Sequence, residues 1–324
     1  MRDAIVLRSV LPIVLLAASG CHAAVAETFP AKPVRFLVGY APGGGADVLA
    51  RVIARRLSEA WGQPVVVENR TGAGGTIAAG TVANAAPDGY TILMITSNHT
   101  VPSNEVKIAY DPVRSFTPIV EIAYIPSALI VNAALGVSSV KELIDVAKAK
   151  PGALNFGSTG PASQQFMDMQ LLMQSAGIRM VNVTYKGAGQ IVVALLANEI
   201  QLGLQPITAF LETIRSGRLR ALAVAGKTRS RLLPDVPTYS EVAALRGFEG
   251  SANWYGIVGP AGLAPSITSR LHRDVLAAID TPDVQRVLAE QGFVLAAGSP
   301  EAFAKRIASD LAKWSKVSGT IESK

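Results

Sequence analysis

The chain contains Val34-Arg35-Phe36-Leu37-Val38, then Pro42-Gly43-Gly44-Gly45-Ala46-Asp47, and then apolar residues at helical spacing. This order predicts a strand, a glycine loop and a helix over 47–57, which is a building unit of α/β folds. Glycine lets the backbone approach a ligand closely, and the helix start offers free N–H groups and a positive dipole end. The loop therefore suits an anion, although a plain tight turn capped by Asp47 explains the same residues.

Strand and helix patterns alternate along the rest of the chain, which predicts α/β architecture with largely parallel sheets. Apart from the first, strands are expected at residues 65–67, 91–96, 119–131, 154–156, 181–185, 201–204, 221–224 and 253–258. After the first, helices are expected at residues 77–85, 140–149, 164–175, 190–197, 266–279, 282–291 and 300–317.

The length of the chain indicates two domains, because it is large for one doubly wound domain. We expect one domain from residues 27–125 together with 252–324, and the other from residues 126–251. The run 119–131 and the strand 253–258 would be the two crossings between them. A domain inserted in this way forms a hinged pair with a cleft between the two halves.

Residues 1–26 have the pattern of a secretory signal: a basic start, a short apolar run over 10–18, and small residues before Glu27. Cleavage after Ala26 predicts a periplasmic protein. An alternative is lipid modification of Cys21, which follows a short run of small residues. Cys21 is the only cysteine, so a chain cleaved after Ala26 contains no disulfide.

The charge and motif content argue against several classes of protein. The formal net charge is +6, and the basic residues are dispersed without interleaved aromatics, so no nucleic-acid partner is expected. No G-x-S-x-G or H-E-x-x-H motif occurs, and the glycine loops do not complete a dinucleotide or phosphate-loop fingerprint. We therefore expect no catalytic residues, no metal site and no cofactor.

A second loop of small residues also connects a predicted strand to a predicted helix, as the first one does. Ser158, Thr159, Gly160, Ala162 and Ser163 join a predicted strand to a helix that begins near residue 164. A plain turn capped by Ser163 is the alternative for this loop taken alone. One such loop in each domain, facing the other across the cleft, would hold a carboxylate with backbone amides and hydroxyls.

Four further features are candidates for the same cleft. Asn98 and His99 follow the strand 91–96, where open α/β sheets place their ligands. Tyr185 begins a third glycine turn, and an ordinary strand-to-helix turn explains this segment as well as a ligand contact does. Trp254 would stack on a ligand or lie in the core. A fourth glycine loop, residues 71–76, is interpreted as a turn that serves backbone packing.

Several blocks of the chain, taken in order, resemble a known family. They are Phe29-Pro30-Ala31-Lys32-Pro33-Val34, Pro42-Gly43-Gly44-Gly45-Ala46-Asp47, Val67-Glu68-Asn69-Arg70-Thr71-Gly72-Ala73-Gly74-Gly75, Pro87-Asp88-Gly89-Tyr90-Thr91, Tyr185-Lys186-Gly187, Ser216-Gly217-Arg218-Leu219-Arg220, Leu233-Pro234-Asp235-Val236-Pro237-Thr238 and Gly259-Pro260-Ala261-Gly262. Together they resemble the Bug-type receptors, the extracytoplasmic solute-binding proteins of tripartite tricarboxylate transporters. The resemblance extends over nearly the whole chain after the signal.

This resemblance implies a type II periplasmic-binding-protein fold, in which two α/β domains close by a hinge on a small organic acid. It also implies that the loops Gly43–Asp47 and Ser158–Ser163 grip a carboxylate, and that membrane transporter subunits receive it. We expect a monomer. Two rival functions remain at this level: a carboxylate-sensing subunit for a signalling partner, and an exported hydrolase or oxidoreductase.

The chain departs from the family pattern at two places. Phe166 stands where the family often has a histidine, and Gln205-Pro206 stands where it often has Asp-Asn. A neutral Gln205 can donate a hydrogen bond to an anion, which an aspartate cannot. These differences favour a less polar acid. They leave open dicarboxylates, tricarboxylates, acidic amino acids and aromatic acids.

Overall fold

The chain folds around two mixed β-sheets, each covered by helices on both faces. The computed structural model describes residues 29–101, 108–161, 163–226, 228–245, 248 and 250–322. The predicted signal segment with Cys21, and the candidate site residue Ala162, lie outside the described residues.

The eleven strands are β1 Val34–Val38, β2 Val65–Asn69, β3 Thr91–Thr96, β4 Phe116–Ile125, β5 Ser127–Asn132, β6 Asn155–Ser158, β7 Val181–Thr184, β8 Leu202–Pro206, β9 Leu219–Val224, β10 Asn253–Pro260 and β11 Val294–Leu295 in the described part of the chain. The α-helices there are α1 Gly45–Trp61, α2 Thr76–Ala83, α3 Val140–Ala149, α4 Gln164–Ala176, α5 Ala188–Leu196, α6 Leu211–Arg215, α7 Pro265–Ile279, α8 Pro282–Glu290 and α9 Pro300–Glu322. Short 3₁₀ turns connect several of these elements.

The two sheets differ in strand order, but each combines two parallel strand pairs with antiparallel ones. The first has the order β11-β4-β10-β3-β1-β2, in which β1 is parallel to β2 and β3 and the other pairs are antiparallel. The second has the order β7-β6-β8-β5-β9, in which β6 is parallel to β7 and β8, and β5 is antiparallel to β8 and β9. The expectation of largely parallel sheets is therefore wrong. Strands that cross between the sheets pair directly with a return strand and do not need a helical crossover.

The apolar run predicted as one strand over 119–131 is two strands in two sheets. β4 ends at Ile125 and β5 begins at Ser127, and Pro126 between them has no N–H with which to continue a ladder. The return crossing runs alongside: Asn253 is paired with Ile125, and the Ala225 N–H donates to the Ser127 carbonyl at 2.7 Å. The chain thus leaves and re-enters the first sheet at one place.

Strands of the first sheet lie within residues 27–125 and 252–324, and strands of the second lie within 126–251. The division of the chain into domains at those points remains a prediction. The helices α1 and α7 cover one face of the first sheet and α2 and α9 the other, so β3 is buried along its whole length.

Local sequence signals explain where several helices begin and end. The Ser139 side chain caps α3 by accepting the Glu142 N–H at 3.2 Å, and Ser163 caps α4 in the same way through the Phe166 N–H at 3.3 Å. Gly62 ends α1 in a left-handed conformation with φ of 64°. None of the helices in the described residues has the length and apolar character needed to cross a bilayer.

Candidate functional site

A cavity of about 680 Å³ lies between the two sheets, beyond the carboxyl ends of their parallel strands. This is the position at which open α/β sheets bind ligands. The segments that line it follow β1, β2, β3, β6 and β7, and they are Gly39–Ala41, Thr71–Thr76, Asn98 with His99, Thr159–Pro161 with Ser163, and Lys186 with Gly187. Apolar side chains from β3, α2, α9 and the segment near Tyr110 complete the lining.

The first-sheet side of the cavity is formed by Tyr40 and the glycine loop Thr71–Thr76. The Tyr40 hydroxyl lies 2.7 Å from Thr96 Oγ1 and donates to the Gly74 carbonyl at 3.2 Å. Residues 72–75 have φ values of 130°, 46°, 68° and 98°, and a positive φ is uncommon at a residue such as Ala73. This loop, which the sequence indicated to be a packing turn, runs along the cavity for its whole length.

An aromatic group closes the same side of the cavity. The His99 ring lies parallel to the Tyr110 ring at a centroid distance of 6.1 Å and meets the edge of Phe116 at 5.0 Å. His99 Nε2 lies 2.9 Å from the Pro112 carbonyl, which can only accept, so this nitrogen carries the proton. Burial lowers the pKa of His99 to about 4 and raises the pKa of Tyr110 to about 12. Both rings are therefore uncharged at neutral pH.

A hydrogen bond between Asn98 and Gln164 joins the two sides of the cavity. The Gln164 N–H, at the start of α4, donates to Asn98 Oδ1 at 3.2 Å. Asn98 follows β3 of the first sheet, whereas α4 follows β6 of the second. This bond uses one of the N–H groups at the beginning of α4, which would otherwise have no intrahelical partner.

The second-sheet loop Ser158–Ser163 is held by bonds within itself. The Gly160 N–H donates to Ser158 Oγ at 3.1 Å, and the Ser163 N–H donates to the Gly160 carbonyl at 3.0 Å. Ser158 is fully buried, with its hydroxyl donating to Asn182 Oδ1 at 2.7 Å, and it does not line the cavity. Thr159, Gly160 and Ser163 do line it. Several amides that the sequence predicts for an anion therefore already have acceptors in the protein.

One cationic residue borders the cavity, and it is exposed to solvent. Lys186, at the turn after β7, is the only charged residue among the described residues that line the cavity. Its backbone N–H donates to Gln190 Oε1 at 2.9 Å. Within the described part of the chain, no carboxylate forms an ion pair with its ammonium group.

The first predicted loop, Gly43–Asp47, is not part of the described cavity lining. Asp47 Oδ2 accepts the Gly43 N–H at 2.9 Å and Arg51 Nε at 2.9 Å, and Asp47 Oδ1 accepts Asn69 Nδ2 at 2.8 Å. Burial alone would raise the pKa of Asp47, but the bonds from Arg51, Gly43 and Asn69 outweigh it and lower that pKa. The start of α1 thus already holds an internal anion, and Gly43 and Gly44 face solvent.

Three other predicted residues lie away from the cavity lining. Tyr185 borders a separate, more open depression of about 510 Å³ beside α5. Gln205 is fully buried and donates from Nε2 to the Gly157 carbonyl at 2.9 Å. Trp254 is fully buried as well: its Nε1 donates to Asp310 at 2.7 Å and its ring meets Phe303 edge-on. Both Gln205 and Trp254 occupy core positions.

The sequence did not single out Tyr40, Tyr110, Lys186 or Leu311 as individual site residues. Tyr40 and Lys186 were detectable in principle, because each follows the carboxyl end of a predicted strand. Leu311 comes from α9 and lies more than a hundred residues along the chain from the other lining residues. No local sequence signal predicts that it borders the cavity. The described residues contain no group of three His, Cys, Asp or Glu side chains able to hold a metal ion.

Comparison with known proteins identifies relatives along almost the whole chain. A model described as the tripartite tricarboxylate transporter family receptor matches residues 49–322. Protein BugT of Bordetella pertussis is 35% identical over 308 residues, which cover 94% of this chain and 94% of BugT. A protein from the tcbD-tcbE intergenic region of Pseudomonas sp. strain P51 is 35% identical over 292 residues, covering 90% of this chain and 87% of that protein.

Solved structures agree with these relatives in fold. R. palustris Rpa4515, determined with adipate, is 32% identical with a TM-score of 0.78, covering 90% of this chain and 98% of that one. MatC from Rhodopseudomonas palustris, with bound malate, is 28% identical with a TM-score of 0.76, covering 89% of this chain and 99% of that one. The periplasmic binding protein BugD is 28% identical with a TM-score of 0.74, covering 89% of this chain and 97% of that one.

These matches confirm the predicted resemblance and the predicted periplasmic-binding-protein fold. The two mixed sheets with a cavity between them are the architecture that the chain shares with solved solute-binding proteins. The family model matches most of the chain, and the relatives are matched along most of their own length. The chain belongs to the family of tripartite tricarboxylate transporter receptors.

Proposed function

We propose that this protein captures a small organic carboxylate in the cavity between its sheets and delivers it, unchanged, to the membrane subunits of a tripartite transporter. The observation that carries the proposal is the cavity itself, with Lys186 as its one charged group among the described lining residues. The adipate and malate present in related structures support the same ligand class.

The ligand contacts proposed here begin with lining residues from both sides. They are Asn98 from the first sheet, and Thr159, Gly160 and Ser163 from the second. The loop Gly43–Asp47 follows shortly after Ala41, which lines the cavity. We propose that this loop contacts the ligand only when the two sheets close around the ligand.

Closure requires a place where the chain can bend. The two side-by-side crossings, at Pro126 and between β9 and β10, form the hinge in this proposal, since a hinge needs few residues to absorb the motion. A ligand stabilises the closed state only through contacts that the open state lacks, which means contacts with both sheets at once.

Binding without conversion is also part of the proposal. His99, a lining imidazole, donates from Nε2 to the Pro112 carbonyl, and its lowered pKa makes it a weak base at neutral pH. NMR of a bound acid recovered after prolonged incubation should show the starting compound. Appearance of a new product would favour the enzyme alternative.

The main test is calorimetric titration of the purified protein with acids and with their neutral primary amides. A receptor for carboxylates should bind an acid and raise its melting temperature by mass action, whereas the matched amide should bind much more weakly. Dicarboxylates, tricarboxylates, acidic amino acids and aromatic acids belong in the screen. Binding only of sugars or cations would contradict the proposal.

We further propose export to the periplasm with cleavage after Ala26, and a monomeric state. Intact-mass measurement of protein from a periplasmic extract should give a chain that begins at Glu27, and light scattering should give the mass of one chain. A lipid-bearing product in the membrane fraction would instead support modification at Cys21.

A further inference from the structure

A buried carboxylate links the beginning of α4 to segments on the first-sheet side of the molecule. We infer that Asp168 is a positioning residue of the cavity: bonded to Ser251 and through it to Lys313, it fixes the first turns of α4 and so the loop that precedes them. This inference rests on the proposed function, because it concerns the geometry of the proposed ligand site. Asp168, Ser251 and Lys313 are not among the described residues that line the cavity.

The C-terminal helix α9 packs against elements that belong to both sheets. Phe303 and Ile307, in its first half, are buried among side chains of the first sheet. Trp314 and Val317, further along the helix, are buried together with Met167 of α4. The helix α4 in turn packs on the second sheet. Contact with α9 therefore helps to set where α4 lies relative to the first sheet.

Two hydrogen bonds in series accompany this apolar contact. Lys313 Nζ donates to Ser251 Oγ at 2.9 Å, and the Ser251 hydroxyl donates to Asp168 Oδ1 at 2.8 Å. The three residues come from α9, from the segment just before β10 and from α4. The Asp168 side chain is shielded from water, because the residue is only 1% exposed. The bonds thus join α4 to the place where the chain returns to the first sheet.

The charged and titratable groups around Asp168 come from α9 and from the second-sheet side. Lys313 favours the ionised carboxylate, whereas Asp310 of α9 disfavours it, and the Tyr239 hydroxyl also lies close to it. Burial outweighs the favourable contacts and raises the pKa of Asp168 to about 6. A carboxylate buried at such a cost adds little net stability, but its charge-assisted bonds impose a direction. Its contribution here is the orientation of α4.

The first turn of α4 transmits this orientation to the cavity. Asp168 lies one turn after Gln164, about 6 Å along the helix axis, and its Oδ2 lies 3.5 Å from Gln164 Nε2. The Gln164 N–H donates to Asn98, which lines the cavity, and the preceding Ser163 lines it as well. Because one helical turn moves as a unit, a change of direction at Asp168 displaces Ser163 and the bond to Asn98.

The main test separates affinity from stability. Asp168→Asn keeps the side-chain shape and an acceptor for Ser251, but it removes the negative charge. Calorimetry at pH 7 should use the acid that the wild type binds most tightly among malate, adipate, citrate, glutamate and benzoate. We expect Asp168→Asn to bind it about five- to tenfold more weakly, the effect of losing one charge-assisted bond.

The free energy of unfolding of Asp168→Asn, measured in urea at the same pH, should equal or exceed the wild-type value. The raised pKa means that the folded protein ionises Asp168 at a cost above pH 6, and the variant avoids that cost. Unchanged affinity overturns the inference and leaves the proposed function standing. A loss of stability together with a loss of affinity overturns it too, since a merely structural role would explain both.

The second arm tests the other end of the link. Lys313→Met should weaken binding by a similar factor, and Lys313→Arg should retain most of the affinity. The double variant of Asp168→Asn and Lys313→Met should lose little more than either single variant, because both act through one link. Lys305→Met, on the exposed surface of the same helix, is the matched control and should bind as the wild type does. Additive losses would overturn the link.

A measurement without ligand completes the test. Hydrogen exchange of peptides covering residues 158–167 should be faster in Asp168→Asn than in the wild type, while exchange in α3 should stay the same. Equal exchange over residues 158–167 would overturn the positioning role. If the wild type binds none of the five acids nor any other carboxylate, the proposed function fails, and the exchange rates alone decide whether Asp168 fixes α4.

Discussion

Asn98 and Gln164 are 66 positions apart, yet the Gln164 N–H donates to Asn98 Oδ1 at 3.2 Å and so connects the two sheets across the cavity. Asn98 belongs to the 3₁₀ turn after β3, and Gln164 is the first residue of α4. Asn98 lines the cavity, and Gln164 directly follows the lining residue Ser163. A bond in this position couples the relative placement of the sheets to the geometry of the site.

We expect Asn98→Ala to weaken binding of a carboxylate by up to about tenfold, because a typical hydrogen bond contributes about 0.5–1.5 kcal/mol. Calorimetric titration measures the affinity. Asn84→Ala is the control, since Asn84 donates only to the Gly80 carbonyl within α2 and its turn, away from the cavity. Equal affinities of the wild type and Asn98→Ala would contradict the coupling.

The buried carboxylate of Asp47 should stabilise the fold in a pH-dependent way. It is surrounded by donors from Gly43, Arg51 and Asn69, and its side chain is only 4% exposed. Asp47→Asn should lower the free energy of unfolding at pH 7 by about 1–3 kcal/mol. This loss is smaller than for a fully buried ion pair, because the Arg51 side chain is half exposed.

The sign of the pH effect follows from the lowered pKa of Asp47 in the folded protein. The stabilisation is present above the pKa of the unfolded state and is lost as pH falls through the folded one. Urea denaturation should therefore show the wild type and Asp47→Asn converging below about pH 4. Asp145→Asn, on the exposed surface of α3, should cost much less, and an equal loss in both variants would argue against the role of burial.

Asp168 should have the opposite pH dependence. It accepts the Ser251 hydroxyl at 2.8 Å and lies under Lys313, whose ammonium donates to the same hydroxyl at 2.9 Å. Burial raises the pKa of Asp168 to about 6, and the nearby Lys313 and the bond from Ser251 only partly oppose that effect. The folded protein thus holds this proton more tightly than the unfolded chain does.

Stability should therefore fall as pH rises from about 4 to 6, by about 2 kcal/mol from this group. Asp168→Asn keeps the shape and removes the titration. Its free energy of unfolding should vary less over this interval than that of the wild type, measured by urea denaturation at each pH. Parallel pH profiles for the two proteins would refute the assignment.

Gly160 should be essential for the shape of the second-sheet loop. Its φ of 107° is outside the range that residues with a side chain readily adopt, and an added Cβ would lie 3.5 Å from Thr184 Cγ2. We expect Gly160→Ala to shift the loop and weaken carboxylate binding at least tenfold, which corresponds to about 1.4 kcal/mol. Calorimetric titration measures the affinity of Gly160→Ala and of its control, Gly187→Ala, and circular dichroism verifies that both are folded.

Gly187→Ala is the matched control for Gly160→Ala. Gly187 also lines the cavity, but its backbone is extended and an added Cβ would have nothing within 4 Å. Its affinity should stay within about twofold of the wild type on the same scale. Similar losses at both glycines would show that any added methyl blocks the cavity and that strain at residue 160 is not the cause.

The proposed closure gives the first glycine loop its own test. Gly44 has an ordinary φ of −76°, and an added Cβ would meet only the Ala41 carbonyl, at 3.5 Å. Gly44→Val should therefore fold normally but bind a carboxylate more weakly, because its side chain obstructs contact in the closed state. Native affinity in this variant would exclude the loop from the grip on the ligand.

The elements with regular local patterns were predicted well. The strands Val34–Val38 and Thr91–Thr96 and the helix Val140–Ala149 have the predicted bounds. Their apolar periodicity and capping residues lie within a few positions of each other, so the sequence alone contains the signal. The short elements α6 and β11 were missed, because five and two residues carry too little periodicity.

The site was predicted less completely. Asn98, His99, Thr159, Gly160 and Ser163 do line the cavity. The loop Gly43–Asp47 had the stronger sequence signal, yet it is not part of the described cavity lining, whereas every residue of the loop Thr71–Thr76 is. The difference arises because Asn69 and Arg51 complete the bonds of Asp47, and no local pattern reveals that arrangement.

The sequence by itself determined the α/β class, the approximate positions of most helices and strands, the position of the glycine loops at strand ends and the family resemblance, since all of these depend on residues close together in the chain. Only the tertiary structure decided which loop faces the cavity, that the run over 119–131 divides between two sheets, and that Leu311 and Lys186 border one space. Those outcomes depend on contacts between residues far apart in the chain. Local conformational preferences are compatible with several tertiary arrangements, and packing and burial determine which of them has the lowest free energy.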